Sequence, residues 1–141
     1  MSETVTASAV VYRGAGILIR GAPGAGKSTL ALTLIDDGGR LVGDDRVHLG
    51  ARNGRIIASG HGAVAGLIEL RGRGLVKRPF ERSAIVRLVV DCVAPNRIER
   101  LPEPAILTAT LLGVRLPRQL VAANSPVAPM LVREALGVIS R

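Results

Sequence analysis

Aromatic side chains are nearly absent from this sequence: Tyr12 and Phe80 are the only two, and there is no tryptophan. The core must therefore be built from Ala, Val, Leu and Ile, which supply almost all of the 48% hydrophobic content. The same scarcity leaves few rings on which bases could stack, and the arginines are scattered from Arg13 to Arg141. No specific nucleic-acid site is expected, only weak binding of polyanions at low salt. Lysine is limited to Lys27 and Lys77, so arginine carries the net charge of +8, a balance that favours acidic partners and phosphate ligands. The single cysteine, Cys92, excludes an internal disulfide and reads as a small core residue in the apolar run Ala84 to Val93. No apolar run reaches the length of a membrane span, and Met1 to Thr6 lacks the basic start and apolar centre of a signal peptide. These absences lead us to expect a cytoplasmic chain, and its 141 residues fit one domain, 1–141.

Glycine, by contrast, is abundant, and its most telling cluster is Gly21-Ala22-Pro23-Gly24-Ala25-Gly26-Lys27-Ser28. This run fits the phosphate-binding pattern G-x-x-x-x-G-K-[ST] and follows the apolar segment Ile17-Leu18-Ile19. Its glycines allow backbone N–H groups to turn toward a phosphate chain with no side chain in the way. Lys27 would reach the outer phosphates, the Ser28 hydroxyl would ligate Mg²⁺, and the N-terminus of a following helix, from Thr29 onward, would add partial positive charge. Leu30, Ala31, Leu34 and Ile35 supply the helical period, and Gly38-Gly39 the stop.

Val5 to Tyr12 reads as a first strand, turned through Arg13 to Gly16 into the strand that feeds the loop, which predicts a mixed sheet. Arg40 to Gly43 returns as a strand beside the P-loop strand and delivers Asp44-Asp45 at its end. Asn53-Gly54 between Val47–Ala51 and Arg55–Ala58 predicts a tight hairpin. Ser59 to Gly66 should be a loop, followed by Leu67 to Leu70 and the alternating Arg71-Gly72-Arg73-Gly74. Ala84 to Val93 fits a buried strand. Ala105 to Leu116 fits one or two short strands, closed by Pro117. Ser125-Pro126 offers the start of a last helix, which Gly137 would end.

Phosphoryl transfer needs a phosphate cradle, a metal held by hydroxyl and carboxylate, and a group that receives or orients the nucleophile's proton. Asp44-Asp45 and Glu69 are the acids that stand between apolar segments, where an unpaired carboxylate is costly without a metal or a cation. The run Leu41-Val42-Gly43-Asp44-Asp45-Arg46-Val47 and the run Gly66 to Leu75, both behind a P-loop, resemble the catalytic domain of the bacterial HPr kinase/phosphorylases. The resemblance covers roughly Val5 to Leu101. It implies an α/β fold, a P-loop-containing mixed β-sheet with flanking helices, akin to phosphoenolpyruvate carboxykinase. It further implies an ATP- and Mg²⁺-dependent protein serine kinase whose acceptor is HPr or a related phosphocarrier, with phosphorolysis of the product, assembled as a hexamer.

Carried over residue by residue, the resemblance makes Gly21, Ala22, Pro23, Gly24, Ala25, Gly26, Lys27, Ser28 and Thr29 the nucleotide site. Ser28 and Glu69 become the Mg²⁺ ligands, with Asp45 as a further metal-site acid that also shapes the site. Asp44 becomes the group that takes the serine proton and returns it in phosphorolysis, Lys27 stabilises the transferred charge, Arg71 shapes the site, and Arg100 matches an arginine used in dephosphorylation. Two departures stand out: Thr6 occupies the place of a first-strand histidine, and uncharged Ala122 to Pro126 replaces a basic loop. His48 falls in the hairpin, and His61 in the loop before Glu69. The short chain resembles family forms without an N-terminal domain. Two other readings are a regulatory ATP-binding module that transfers little or nothing, and a P-loop kinase of small molecules.

Overall fold

The computed structural model describes residues 1–139. Its centre is β9 (Ser83–Cys92), the longest strand, flanked from Val86 to Cys92 by β3 (Ala15–Gly21), which runs parallel to it with Ile17 opposite Leu88 and Gly21 opposite Cys92. β2 (Ser8–Tyr12) folds back onto β3 through Arg13 and Gly14, both at positive φ as a two-residue hairpin turn requires. β4 (Arg40–Gly43) pairs antiparallel with β2. The strand carrying Asp44-Asp45 is thus one removed from the P-loop strand rather than beside it, because the β2 strand of the first hairpin lies between them.

A second correction concerns the first strand, expected as one run from Val5 to Tyr12. The chain instead forms β1 (Ser2–Val5) and then β2, broken at Thr6-Ala7. β1 pairs with β5 (Val47–Arg52), whereas β2 pairs with β3 and β4, so the break is the corner at which the sheet curls. The Ala7 N–H donates to the Asp45 carbonyl at 3.3 Å, fixing that corner to the end of β4. β5 continues through Asn53 and Gly54, at φ 54° and 73°, into β6 (Arg55–Ser59), the hairpin that the sequence predicts. β6 then joins the first half of β9.

The segment Leu67 to Lys77 is a hairpin of its own, β7 (Leu67–Leu70) and β8 (Gly74–Lys77), outside the main sheet. Gly72 and Gly74 at positive φ make its turn. β10 (Thr108–Leu111) and β11 (Val114–Val121) form the expected pair, but Pro117 lies inside β11 rather than closing it. The parallel ladder of β11 with β9 begins at Arg118, so the proline has no bond to β9 to lose.

Two aliphatic layers result from strand alternation. On one face Ile17, Ile19, Leu88 and Val90 meet α1 (Lys27–Asp36), α2 (Ala128–Ile139) and Ile68 of β7. On the other, Leu18, Val86 and Val89 fill the inside of the curl with Leu49, Ile56 and Leu111. Tyr12 is in the core, whereas Phe80 is 41% exposed. Gly137 does not end α2: it keeps a helical backbone, and buried Leu136 beside it holds that turn against the sheet. Among the described residues no helix is long and apolar enough to cross a membrane.

Candidate active site

The end of β3 turns into α1 through the glycine-rich loop, and close packing at two positions and positive φ at two show why glycine is needed there. A Cβ on Gly21 would lie 3.1 Å from both the Cβ and carbonyl O of Cys92, and one on Gly26 would lie 2.9 Å from the Ala123 Cβ. Gly24 has open space around it but φ +81°, and Gly26 has φ +94°. The N-terminus of α1 has no side-chain cap and no acid in its first turn, which leaves its N–H groups and positive end for an anion. The Lys27 ammonium donates to the carbonyls of Gly21 at 2.8 Å and Ala22 at 3.1 Å, bent back over the loop.

A cavity of about 830 Å³ opens from this loop. Pro23, Gly24, Gly26, Lys27, Ser28 and Thr29 form one wall, and Asp44, Asp45 and Arg46 from the end of β4 form another. Glu69, Arg71 and Leu75 reach in from the β7/β8 hairpin, Thr6 and Ser8 from the curl of the first strands, and His61 from the loop before β7. The structure thus brings Lys27, Ser28, Asp44, Asp45 and Glu69 to one cavity, although they lie on three separate stretches of chain. Gly21, Ala22 and Ala25 belong to the same loop without lining the cavity; the Ala25 N–H closes it on the Ala22 carbonyl at 3.0 Å. Arg100 is exposed in an irregular stretch after the turn Pro95–Arg97 and is not among the lining residues. His48 is exposed on β5 beside Thr4, with a Thr4 Oγ1 to Nδ1 separation of 3.3 Å, and is not in the lining either.

Asp44 is the most constrained acid of the cavity lining. Its Oδ1 accepts from the Ser28 hydroxyl at 2.8 Å and from the Ser8 hydroxyl at 2.7 Å. Asp45 has φ +68°, and the Arg46 N–H donates across it to the Asp44 carbonyl at 2.8 Å, a tight turn of the kind found where side chains must be re-aimed. Ser8 is a contributor that the sequence reading missed; its one signal was a lone hydroxyl in the otherwise apolar run from Ala7 to Val11.

Beside the loop, the Arg20 guanidinium clamps Asp91 with two bonds of 2.8 and 2.9 Å, and Arg118 adds a third at 3.3 Å. The hydrogen bonding raises the Arg20 pKa further above its usual range. Asp91 is therefore a tie between the ends of β3, β9 and β11, although it lies on a strand adjoining the P-loop strand. Burial pushes the Cys92 thiol up to about 11, against the opposing charge of Lys27, consistent with an inert core residue.

The residues present fit a nucleotide with Mg²⁺. The uncapped helix end and glycine loop form an anion cradle, and the hydroxyl and carboxylates nearby are hard oxygen donors. Among the described residues no three acids, histidines or cysteines converge as a metal cage. Mg²⁺ takes one or two protein carboxylates and completes its shell with phosphate and water.

The family model described as HPr Serine kinase C-terminal domain matches residues 1–119. HPr kinase/phosphorylase of Bordetella pertussis is 40% identical over 114 residues, covering 72% of this chain and 36% of that protein. The Chlorobium phaeobacteroides protein of the same name is 34% identical over 121 residues, covering 78% of this chain and 35% of that protein. The chain thus spans about a third of the length of these curated relatives. The solved structure of the Hpr(Ser) kinase/phosphatase from Coxiella burnetii superposes with a TM-score of 0.78 at 28% identity, covering 98% of this chain and 89% of that one. With the family model matched over residues 1–119 and the curled mixed sheet superposing on a solved family structure, the chain belongs to the HPr serine kinase C-terminal domain family.

Proposed function

We propose that this chain is an ATP- and Mg²⁺-dependent kinase that phosphorylates a serine of an HPr-like phosphocarrier and, in reverse, removes that phosphate by phosphorolysis. The observation that carries the reading is the Asp44 carboxylate, hydrogen-bonded to the P-loop Ser28 at 2.8 Å and lining the same cavity as Lys27 and Glu69. In this reading the loop N–H groups and the start of α1 hold the phosphates. Lys27 leaves the Gly21 and Ala22 carbonyls to meet the transferred charge. Ser28, Glu69 and Asp45 would hold Mg²⁺, which when bound neutralises charge on the phosphates. Asp44 accepts the acceptor hydroxyl's proton and returns it in the reverse direction. Arg71, in the cavity lining, orients phosphate oxygens. The proposed site of action is the cytoplasm, and an oligomer is the proposed assembly.

A second reading, a nucleotide-binding regulator without transfer, draws on Thr6, which lines the cavity where related enzymes would be expected to carry a histidine. One experiment separates the two. The chain is incubated with Mg-ATP and the HPr of its own organism, and HPr is analysed by mass spectrometry. The kinase reading expects one added phosphate on a serine, lost with Lys27→Ala. Stoichiometric ATP binding with no phosphate on HPr would replace it with the regulatory reading.

A further inference from the structure

Ser8 is the buried polar residue of the core, 1% exposed, between Ala7 and Ala9 on β2. A hydroxyl in that setting is unfavourable unless it finds a partner, and an alanine or valine would suit the strand better. Its partner is Asp44, 36 residues away, at 2.7 Å. The two meet through an irregularity of the sheet. β2 pairs with β4 as Val11 with Arg40 and Val10 with Leu41, but then as Ala9 with Gly43. Val42 is thus an extra residue on β4, and the shifted register carries Asp44 level with Ser8. Without the shift Ser8 would face Gly43. A bulge beside a site re-aims the side chains that follow it, and here it aims a carboxylate.

The Asp44 Oδ1 accepts hydrogen bonds from the hydroxyls of both Ser8 and Ser28. A carboxylate oxygen has two lone pairs, so this oxygen is fully used. Oδ2 has no hydrogen-bond partner among the described residues, and Asp44 lines the cavity. We infer that Ser8 is a positioning residue: by filling Oδ1 together with Ser28 it prevents the carboxylate from turning about its Cβ–Cγ bond and keeps Oδ2 presented to the acceptor hydroxyl. The inference rests on the reading of Asp44 as the group that receives the acceptor's proton. Ser8 is only 1% exposed at the cavity wall, and its hydroxyl is given to Asp44 at 2.7 Å, so its action runs through Asp44.

The test uses Ser8→Ala in the full chain, a change that leaves small apolar neighbours on both sides. A hydrogen bond to a charged group is worth about ten- to a hundredfold in an equilibrium or a rate. The expected result is a fall of kcat for HPr phosphorylation in that range, with the affinity for Mg-ATP within about twofold of wild type. Unchanged kcat, or ATP affinity lost in step with kcat, overturns the inference. If the wild-type chain transfers no phosphate, the kinase reading fails first, and a measurement independent of turnover decides Ser8. In a double-mutant cycle of Ser8→Ala and Asp44→Ala followed by urea unfolding, the two residues should be coupled by at least about fivefold in the folding equilibrium. Effects that simply multiply would show that the Ser8 hydroxyl does not hold Asp44.

Discussion

Gly26 combines a left-handed backbone, φ +94°, with a close approach to the loop before α2, where an added Cβ would sit 2.9 Å from the Ala123 Cβ. Gly26→Ala therefore carries two separable penalties. The backbone conformation disfavours a side chain by about 1–2 kcal/mol, and the forced contact adds about 1–3 kcal/mol of overpacking. We expect a total loss of about 3 kcal/mol in urea unfolding with an unchanged slope, together with weaker binding of Mg-ATP as the loop N–H groups move. Ala123→Gly removes one partner of the contact and leaves the backbone strain in place. The penalty of Gly26→Ala should then shrink by about 1 kcal/mol or more when measured against Ala123→Gly alone. A neutral Gly26→Ala, or a penalty of the same size in both backgrounds, would refute the claim that Ala123 buttresses the phosphate loop.

Asp91→Asn weakens the tie between β3, β9 and β11 and should lower stability by about 2 kcal/mol. This is less than for full burial, because the Arg20 side chain stays 33% exposed; chemical denaturation measures it. Burial pushes the Cys92 thiol from 9.0 up to about 11 in the folded chain, so above about pH 9 the unfolded thiol ionises while the folded one stays protonated. Stability should fall as pH rises from about 9 to 11, and Cys92→Ala should flatten that part of a stability-against-pH curve. Alkylation of native Cys92 should be slow at neutral pH and fast after unfolding, followed by mass spectrometry.

The phosphate loop was legible in the sequence because all of its determinants lie within eight consecutive residues and act through local backbone geometry. Asn53-Gly54 was legible for the same reason. Asp44, Asp45 and Glu69 were picked out as acids between apolar segments, and the structure brings all three to the cavity of Lys27 and Ser28. What escaped depends on pairing between distant strands. Strand propensity runs unbroken from Val5 to Tyr12, and only the partners β5 and β3 reveal the corner at Thr6-Ala7. Pro117 looked like a terminator, but its place in the ladder makes it harmless. The Arg71 to Gly74 run did not show itself as a turn, because its return strand Gly74–Lys77 is short and outside the main sheet. Ser8 showed only a lone hydroxyl in an apolar run, because a one-residue bulge in a neighbouring strand decides what it faces.

The central claim is that Asp44 receives the acceptor's proton while the glycine loop binds the nucleotide independently. Asp44→Asn keeps the shape and an acceptor oxygen for Ser8 and Ser28 but removes the base. The direct measurement follows phosphate transfer from Mg-ATP to HPr beside calorimetric ATP binding for wild type and Asp44→Asn. The account expects transfer to fall by about a hundredfold or more, with ATP affinity within about threefold of wild type. Transfer by Asp44→Asn at the wild-type rate would contradict it.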